Sequence, residues 1–414
     1  MPEAVIVATA RSPIGRAHKG SLTTLRPDDL TATIVDAALS KVPQLDRTLI
    51  EDLYLGCGLP GGEQGFNMAR VVATLLGLDG LPGATITRYC SSSLQTTRMA
   101  FHAIKAGEGD IFVSAGVETV SRFARGSSDG LPSKAQELVG GGWGNPRFAD
   151  ATARTAASAE GGTVWHDPRE DGATPDVYIT MGQTAENLAQ IKNVTREDMD
   201  EFGVRSQNLA EKAIADGFWE REITPVTLPD GTVVSTDDGP RPGVTIEAVS
   251  QLKPVFRPDG RVTAGNCCPL NDGAAAVVIM SDTKARELGI TPLARIISTG
   301  VTALSPEIMG LGPVEASKQA LSRAGMTIDD VDLVEINEAF AAQVIPSYRD
   351  LNIPIEKLNV NGGAIAVGHP FGMTGARLTG TLLNSLAWHD KSIGLETMCV
   401  GGGQGMALII ERLS

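Results

Sequence analysis

Short apolar runs alternate with segments whose apolar residues recur at helical spacing, from one end of the chain to the other. Residues 4–9 read as a first strand, and Arg11-Ser12-Pro13-Ile14-Gly15 as the turn after it. In 28–41, Leu30, Ile34, Ala37 and Ala38 share one helical face. Residues 52–57 form a second strand, followed by a Gly/Pro-rich loop and a helix from about 67 to 76. A strand at 84–88 leads into a helix that starts with Cys90-Ser91-Ser92-Ser93. That helix carries Leu94, Thr97, Phe101 and Ile104 on one face, leaves His102 towards solvent, and ends at Gly107. The strand 110–115 completes a strand–helix–strand unit.

Between 121 and about 173 the periodicity fades into Gly, Ser, Ala and Asp, which implies loops and short helices. Helical spacing resumes at Met181, with helices at 186–191 and 196–215; Thr195 caps the second, with Glu197 and Asp198 in its first turn. A turn-rich connector, 230–242, carries Arg241; 263–266 is a tight turn and 274–280 a buried strand. The plan then repeats. Strands are expected at 294–298 and 331–336, a helix at 314–324 ended by Gly325, and a helix opening at Asn337-Glu338-Ala339-Phe340. Residues 357–360 read as the end of a short strand, before a glycine-rich loop, 361–372, and a helix at 375–386. Strands 393–399 and 406–411 close the chain, joined by the turn Gly401–Gly405. The expected fold is α/β, with two similar strand–helix halves separated by an irregular insert.

A chain of 414 residues has room for two or three domains around a large core. Its 42% apolar and 20% charged content suits a soluble globular protein, and a formal charge of −14 disfavours nucleic acid or an acidic membrane as partner. The start, Met1-Pro2-Glu3-Ala4, enters a strand without a basic or long apolar leader, and no run is long enough to span a membrane. The five cysteines, Cys57, Cys90, Cys267, Cys268 and Cys399, contain no CxxC pair, so a reducing cytoplasm is expected, with neither disulfides nor a metal site. Cys57 reads as core.

Chemistry concentrates at four strand ends: Cys90-Ser91-Ser92-Ser93, Asn337-Glu338-Ala339-Phe340, Gly368-His369-Pro370 and Cys399-Val400-Gly401-Gly402. Open α/β sheets bind ligands beyond the carboxyl ends of their strands, so these four can meet in one crevice. Pro370 holds His369 extended. Cys90 stands at a strand-to-helix corner, where free N–H groups and the helix dipole favour a thiolate and can hold an oxyanion. Together they offer a nucleophile, its base, a second acid/base and a polariser.

These motifs, with NEAF, GGAIAVGHPFGMTG and CVGGGQG in that order, make the whole chain resemble the thiolase family, CoA-dependent acyltransferases that make or cleave 3-ketoacyl-CoA. The resemblance implies thiolase-like duplicated α/β domains, layered helices and mixed sheets, with an inserted loop domain. Residues 1–120, completed by about 271–290, would be the N-terminal half, 121–270 the CoA-binding loop domain and 291–414 the C-terminal half. It implies Cys90 as the acylated nucleophile, His369 as its activator, Cys399 as second acid/base and Asn337 as holder of a water. Backbone N–H groups of Cys90 and Gly401 would form the oxyanion hole. Arg241, Phe256 and the segment 264–270, with Ala264 and Cys268, would hold CoA; Met181, Ala339 and Phe340 would border the pantetheine and acyl pocket. No permanently bound cofactor is implied: coenzyme A and acyl-CoA are substrates. The assembly would be a homodimer or homotetramer. Ser93 departs from the family's usual glycine, and Cys268-Pro269 from its usual Ser-Gly, which bears on pocket shape; plain packing is the preferred role for Cys267 and Cys268 beside the pocket. A ketoacyl-synthase-like condensing enzyme would use a second histidine where Cys399 stands, and a non-catalytic acyl-CoA-binding scaffold would lose nucleophile or base.

Overall fold

The computed structural model describes residues 2–123, 125 and 145–414. Its strands are β1 (Ala4–Arg11), β2 (Gly15–Arg16), β3 (Asp52–Cys57), β4 (Gly83–Ile86), β5 (Ile111–Thr119), β6 (Val226–Thr227), β7 (Val233–Val234), β8 (Asn271–Ser281), β9 (Ala294–Ala303), β10 (Leu333–Ile336), β11 (Ile393–Val400) and β12 (Gln404–Arg412). Most belong to one mixed sheet ordered β10-β11-β12-β9-β1-β8-β5-β3-β4. Its two halves meet where β1 pairs antiparallel with β9, Val5 opposite Arg295. From that seam outward, β1-β8-β5-β3-β4 and β9-β12-β11-β10 have the same pattern. Antiparallel pairs lie near the seam, and parallel β5–β3 and β11–β10 pairs beyond it.

Both faces of the sheet are covered, so its strands are apolar at nearly every position, not alternately. All eleven residues of β8 are buried. Ala275, Val277 and Ile279 enter one core, while Ala274, Ala276, Val278 and Met280 enter another. β12 divides likewise: Met406, Leu408 and Ile410 share the first core, and Ala407 and Ile409 face a third. The shared core is filled by helices Ser92–Ala106 and Thr374–Trp388. Glycine makes their approach close: a Cβ on Gly375 would lie 2.2 Å from the Leu94 nitrogen. Outer helices, Pro27–Ser40 on one half and Gly312–Ala324 on the other, close the remaining faces.

Two local expectations fail. Residues 337–340 are extended, not helical, and the helix starts only at Ala341. Their backbone is taken by another segment: Phe340 bridges Cys267, and the Cys268 N–H donates to the Ala339 carbonyl at 3.1 Å. Residues 357–360 form no strand but one parallel bridge, Leu358 to Val334. Asn359 turns the chain away at φ +44° and uses its side chain as the missing neighbour, accepting from Ile336 N and donating to Ile336 O, both at 2.9 Å. Of the insert, residues 126–144 lie outside the described residues; the rest includes a helix, Ala149–Ser158.

Candidate active site

Cys90 sits in a tight turn, Tyr89–Ser91, one step before its helix, so it heads the helix without being part of it. Tyr89 has φ +45°, a left-handed conformation that an aromatic residue rarely adopts, and its ring lies beside Gly401 and Gly402. Gly401 is therefore held against the nucleophile turn, and the N–H groups of Gly401 and Cys90 favour the charged form of the Cys90 sulfur. Arg88 ties the same two turns together, donating to Gln95 at 3.1 Å and to Gln404 at 2.5 Å.

Burial outweighs these donors. It pushes the Cys90 thiol up to about 11, with Glu118 adding to the rise, so the expected thiolate is not the resting form. Cys399, fully buried at the end of β11, is held well above an ordinary thiol by burial and by Cys90. Burial holds Cys268 well above an ordinary thiol, and Cys267, Cys90 and Cys399 add to the rise; Cys267 is raised by burial alone. None of these thiols has the near-neutral pKa expected of Cys399's task.

His369 is 1% exposed, and burial with the nearby Arg377 lowers its pKa to about 3. Its imidazole is therefore neutral, and its surroundings select the tautomer. The Thr374 hydroxyl donates its one proton to the Pro370 carbonyl at 2.6 Å and lies 2.6 Å from His369 Nδ1. Nδ1 is thus the N–H side, and Nε2 carries the lone pair. Asn337 Nδ2 stands 3.3 Å from Nε2, while its Oδ1 is buried without a protein partner. The backbone is anchored too: Asn271 accepts from His369 N at 2.9 Å and donates to the Gly15 carbonyl at 3.0 Å. The Arg11–Gly15 turn thereby supports the histidine loop. Glu118, buried and raised in pKa, accepts from Gly58, Leu59, Gln64 and Gly372, joining that loop to the end of β3.

The remaining positions fall into two groups. Met181, whose sulfur would lie 3.7 Å from a Cβ on Gly401, borders the thiols. Phe256 packs on Gly182 and stands edge-on to Phe340, ring centroids 6.2 Å apart, with Ala339 beside Cys268. Arg241 and Ala264 stand apart, lining a narrow cavity of about 70 Å³ with Arg16, Gly239 and Pro269. Sequence reasoning missed Thr374, Asn271, Glu118 and Arg16. For the first the signal was present, a hydroxyl residue five positions after the histidine; the others become neighbours only through the fold.

Such a set can carry an acyl group on sulfur and stabilise the oxyanion formed there. Comparisons agree with that chemistry. The thiolase N-terminal domain model matches residues 4–283, and the thiolase C-terminal domain model residues 290–412. A 3-ketoacyl-CoA thiolase of Bacillus subtilis is 41% identical, covering 99% of this chain and 100% of its own. A beta-ketoadipyl-CoA thiolase of Acinetobacter baylyi is 39% identical over 100% of both chains. Among solved structures, the Bacillus anthracis acetyl-CoA acetyltransferase superposes with TM-score 0.85 at 36% identity, covering 100% of this chain and 99% of its own. Human mitochondrial 3-ketoacyl-CoA thiolase gives 0.83 at 33% identity, with the same coverage. The chain belongs to the thiolase family. It is a CoA-dependent acyltransferase.

Proposed function

We propose that this protein makes or thiolytically cleaves 3-ketoacyl-CoA through an acyl-enzyme on Cys90. The observation that carries this reading is the Thr374 hydroxyl held between the Pro370 carbonyl and His369 Nδ1, a placement that favours the imidazole lone pair on Nε2. In the cleavage direction Nε2 takes the Cys90 proton as the sulfur attacks the keto carbonyl. The oxyanion so formed is held by N–H donors, with Gly401 and Cys90 supplying them once the thioester stands. The carbon–carbon bond breaks, and Cys399 protonates the departing acyl-CoA carbanion. Cys399, left as a thiolate, takes the proton of the incoming CoA thiol. The CoA sulfur then attacks the Cys90 thioester, the carbon–sulfur bond to Cys90 breaks, and Cys90 recovers its proton from His369. A thioester is close in energy to the CoA thioester, so transfer runs in either direction. Asn337, through its unpaired Oδ1, would hold the water that helps stabilise an enolate.

On this reading residues 121–270 form the CoA-binding domain between the two halves. Arg241, Phe256, Ala264 and Cys268 hold CoA, and Met181, Ala339 and Phe340 border the pantetheine and acyl pocket. CoA is substrate, and no resident cofactor takes part. Incubation with an acyl-CoA followed by peptide mass mapping should find the acyl group on Cys90; finding it on Cys57, Cys267 or Cys268 instead would overturn the assignment.

We also propose a cytoplasmic homodimer or dimer of dimers. Phe66 (80% exposed) and Leu75 line one surface groove, and Phe66 also stands beside Gly83, Ala84 and Thr85 of the edge strand β4. Light scattering that finds only the 43.3 kDa monomer at micromolar concentration would rule this out.

A further inference from the structure

Glu118, next to last in β5, is fully buried and has no cation within ion-pairing distance among the described residues. Each hydrogen bond at its carboxylate is one that it accepts. Oε2 takes the Gly58 N–H at 2.8 Å and the Gly372 N–H at 2.9 Å. Oε1 takes Gln64 Nε2 at 2.7 Å and the Leu59 N–H at 3.3 Å, with the Cys57 sulfur 3.9 Å away. Gln64 is fixed as a donor here because its own Oε1 accepts from Thr119 N at 2.6 Å. Such a set suits the anion, since a carboxyl proton would face N–H groups and find no acceptor. Burial raises the pKa of the group, and these donors hold it down.

The segments bonded to this carboxylate adjoin the reacting groups. Gly372 ends the His369 loop, and the residue before it, Phe371, stands edge-on to the His369 ring, centroids 5.3 Å apart. Gly58 lies between that loop and the nucleophile turn. A Cβ there would meet Glu118 Oε2 at 2.6 Å, the Phe371 Cβ at 2.8 Å and the Tyr89 carbonyl at 3.3 Å. Its carbonyl accepts from the hydroxyl of Thr87, three residues before Cys90, at 2.9 Å. One carboxylate therefore joins loop and turn.

We infer that Glu118 is a positioning residue for this reaction, an anion that seats the His369 loop against the Cys90 turn. The inference rests on the thiolase reading above. The same charge acts on Cys90. Among the described residues Glu118 is the charged side chain that opposes the Cys90 thiolate, while Cys268 and Cys399 feel Cys90 in turn and Cys57 feels Glu118. On the histidine's side, Arg377 opposes the imidazolium. Cys90 thus rests as a thiol and gives its proton only to a base aimed at it, so the seating of His369 decides the rate.

Glu118→Gln keeps the volume but offers one acceptor oxygen where two are used, and sets N–H groups against N–H groups. For acetoacetyl-CoA thiolysis, kcat should fall roughly ten- to a hundredfold with KM little changed, because the base is misplaced and the binding surface is not. Iodoacetamide alkylation of Cys90, followed by peptide mass mapping across pH, should shift to lower pH once the opposing charge is gone. Loosening of the fold alone would raise the alkylation rate at every pH alike. Glu118→Asp keeps the charge but shortens the reach, so kcat should fall while the alkylation curve stays in place. Thr87→Val, at an exposed position, cuts only the tie from Gly58 to the segment before Cys90. It should lower kcat several-fold with the curve unmoved. Wild-type kcat in both Thr87→Val and Glu118→Asp would overturn the inference even if Glu118→Gln does not fold. An unmoved alkylation curve in folded Glu118→Gln would also overturn it, leaving Glu118 as a brace for the end of β3. Absence of acetoacetyl-CoA cleavage by the wild type would instead remove the thiolase reading, and the alkylation curves would still report the charge of Glu118 at Cys90.

Discussion

His369 owes its basic nitrogen to one hydroxyl. Thr374→Val keeps the shape but removes the acceptor for Nδ1–H, so the ring is free to move its proton to Nε2. We expect kcat to fall roughly tenfold or more with KM little changed, since the base is lost and not the binding surface. The histidine's depressed pKa, about 3, moves the acid limb of the kcat/KM profile for thiolysis well below its ordinary 6.5. A limb near 6.5 assigned to His369 would contradict this. The sulfurs should separate as well. Cys90→Ala removes the covalent step, so neither acyl-enzyme nor turnover survives. Cys399→Ala should still acylate at Cys90 while proton exchange at the acetyl-CoA methyl group falls by roughly 10²–10⁴. Wild-type exchange in Cys399→Ala would make Cys399 structural. The cysteines, histidine and asparagine were visible in the sequence because their motifs are local. Their protonation states were not, because burial depends on the packing of segments hundreds of residues apart.

At the scale of elements, the site depends on how closely two helices approach. Ser93, where the thiolase pattern has glycine, makes use of that closeness: its Oγ accepts from Ala376 N at 2.8 Å and so caps the helix that follows the histidine. Room for it comes from Gly116, where a Cβ would lie 2.5 Å from that of Ser93. Gly375→Ala would force a methyl group onto the Leu94 backbone and push the His369 helix from the Cys90 helix. We expect a loss of about 1–3 kcal/mol in stability, read by denaturant titration, and a fall in kcat beyond what the unfolded fraction explains. Unchanged stability and kcat would mean that the helices separate freely. Strand and helix positions were largely legible because apolar period and glycine stops are local signals. The stretch 337–340 was misread because Glu338 and Ala339 favour a helix, while Cys267 and Cys268 claim their backbone from far along the chain.

For the whole molecule, the two halves turn a chain of net charge −14 into a body that buries acids as well as apolar groups. Glu335 and Glu396 face each other across the β10–β11 pair, and Arg377 from the His369 helix lies in their field. Composition could not reveal this, since a glutamate within a strand looks like a surface residue until both faces of the sheet are seen to be covered. The consequence is a stability that depends on pH with opposing signs. His369 binds its proton far less readily when folded, so between about 3 and 6.5 the unfolded chain holds more protons there, and stability rises with pH. Glu335 behaves oppositely. Burial pushes it up to about 8, so between 4.5 and 8 the folded chain holds the extra proton, and stability falls as pH rises. The two effects oppose each other between 4.5 and 6.5; above 6.5 the histidine no longer contributes, and Glu335 acts with Glu396, which burial also holds well above an ordinary carboxylate. Maximum stability should therefore lie at mildly acidic pH, with Tm declining from 6.5 to 8. Glu335→Gln keeps the shape without the titration, so it should flatten that decline while leaving the acid side in place. A decline of the same slope in Glu335→Gln would assign it to another buried acid, Glu396 being the nearest in register.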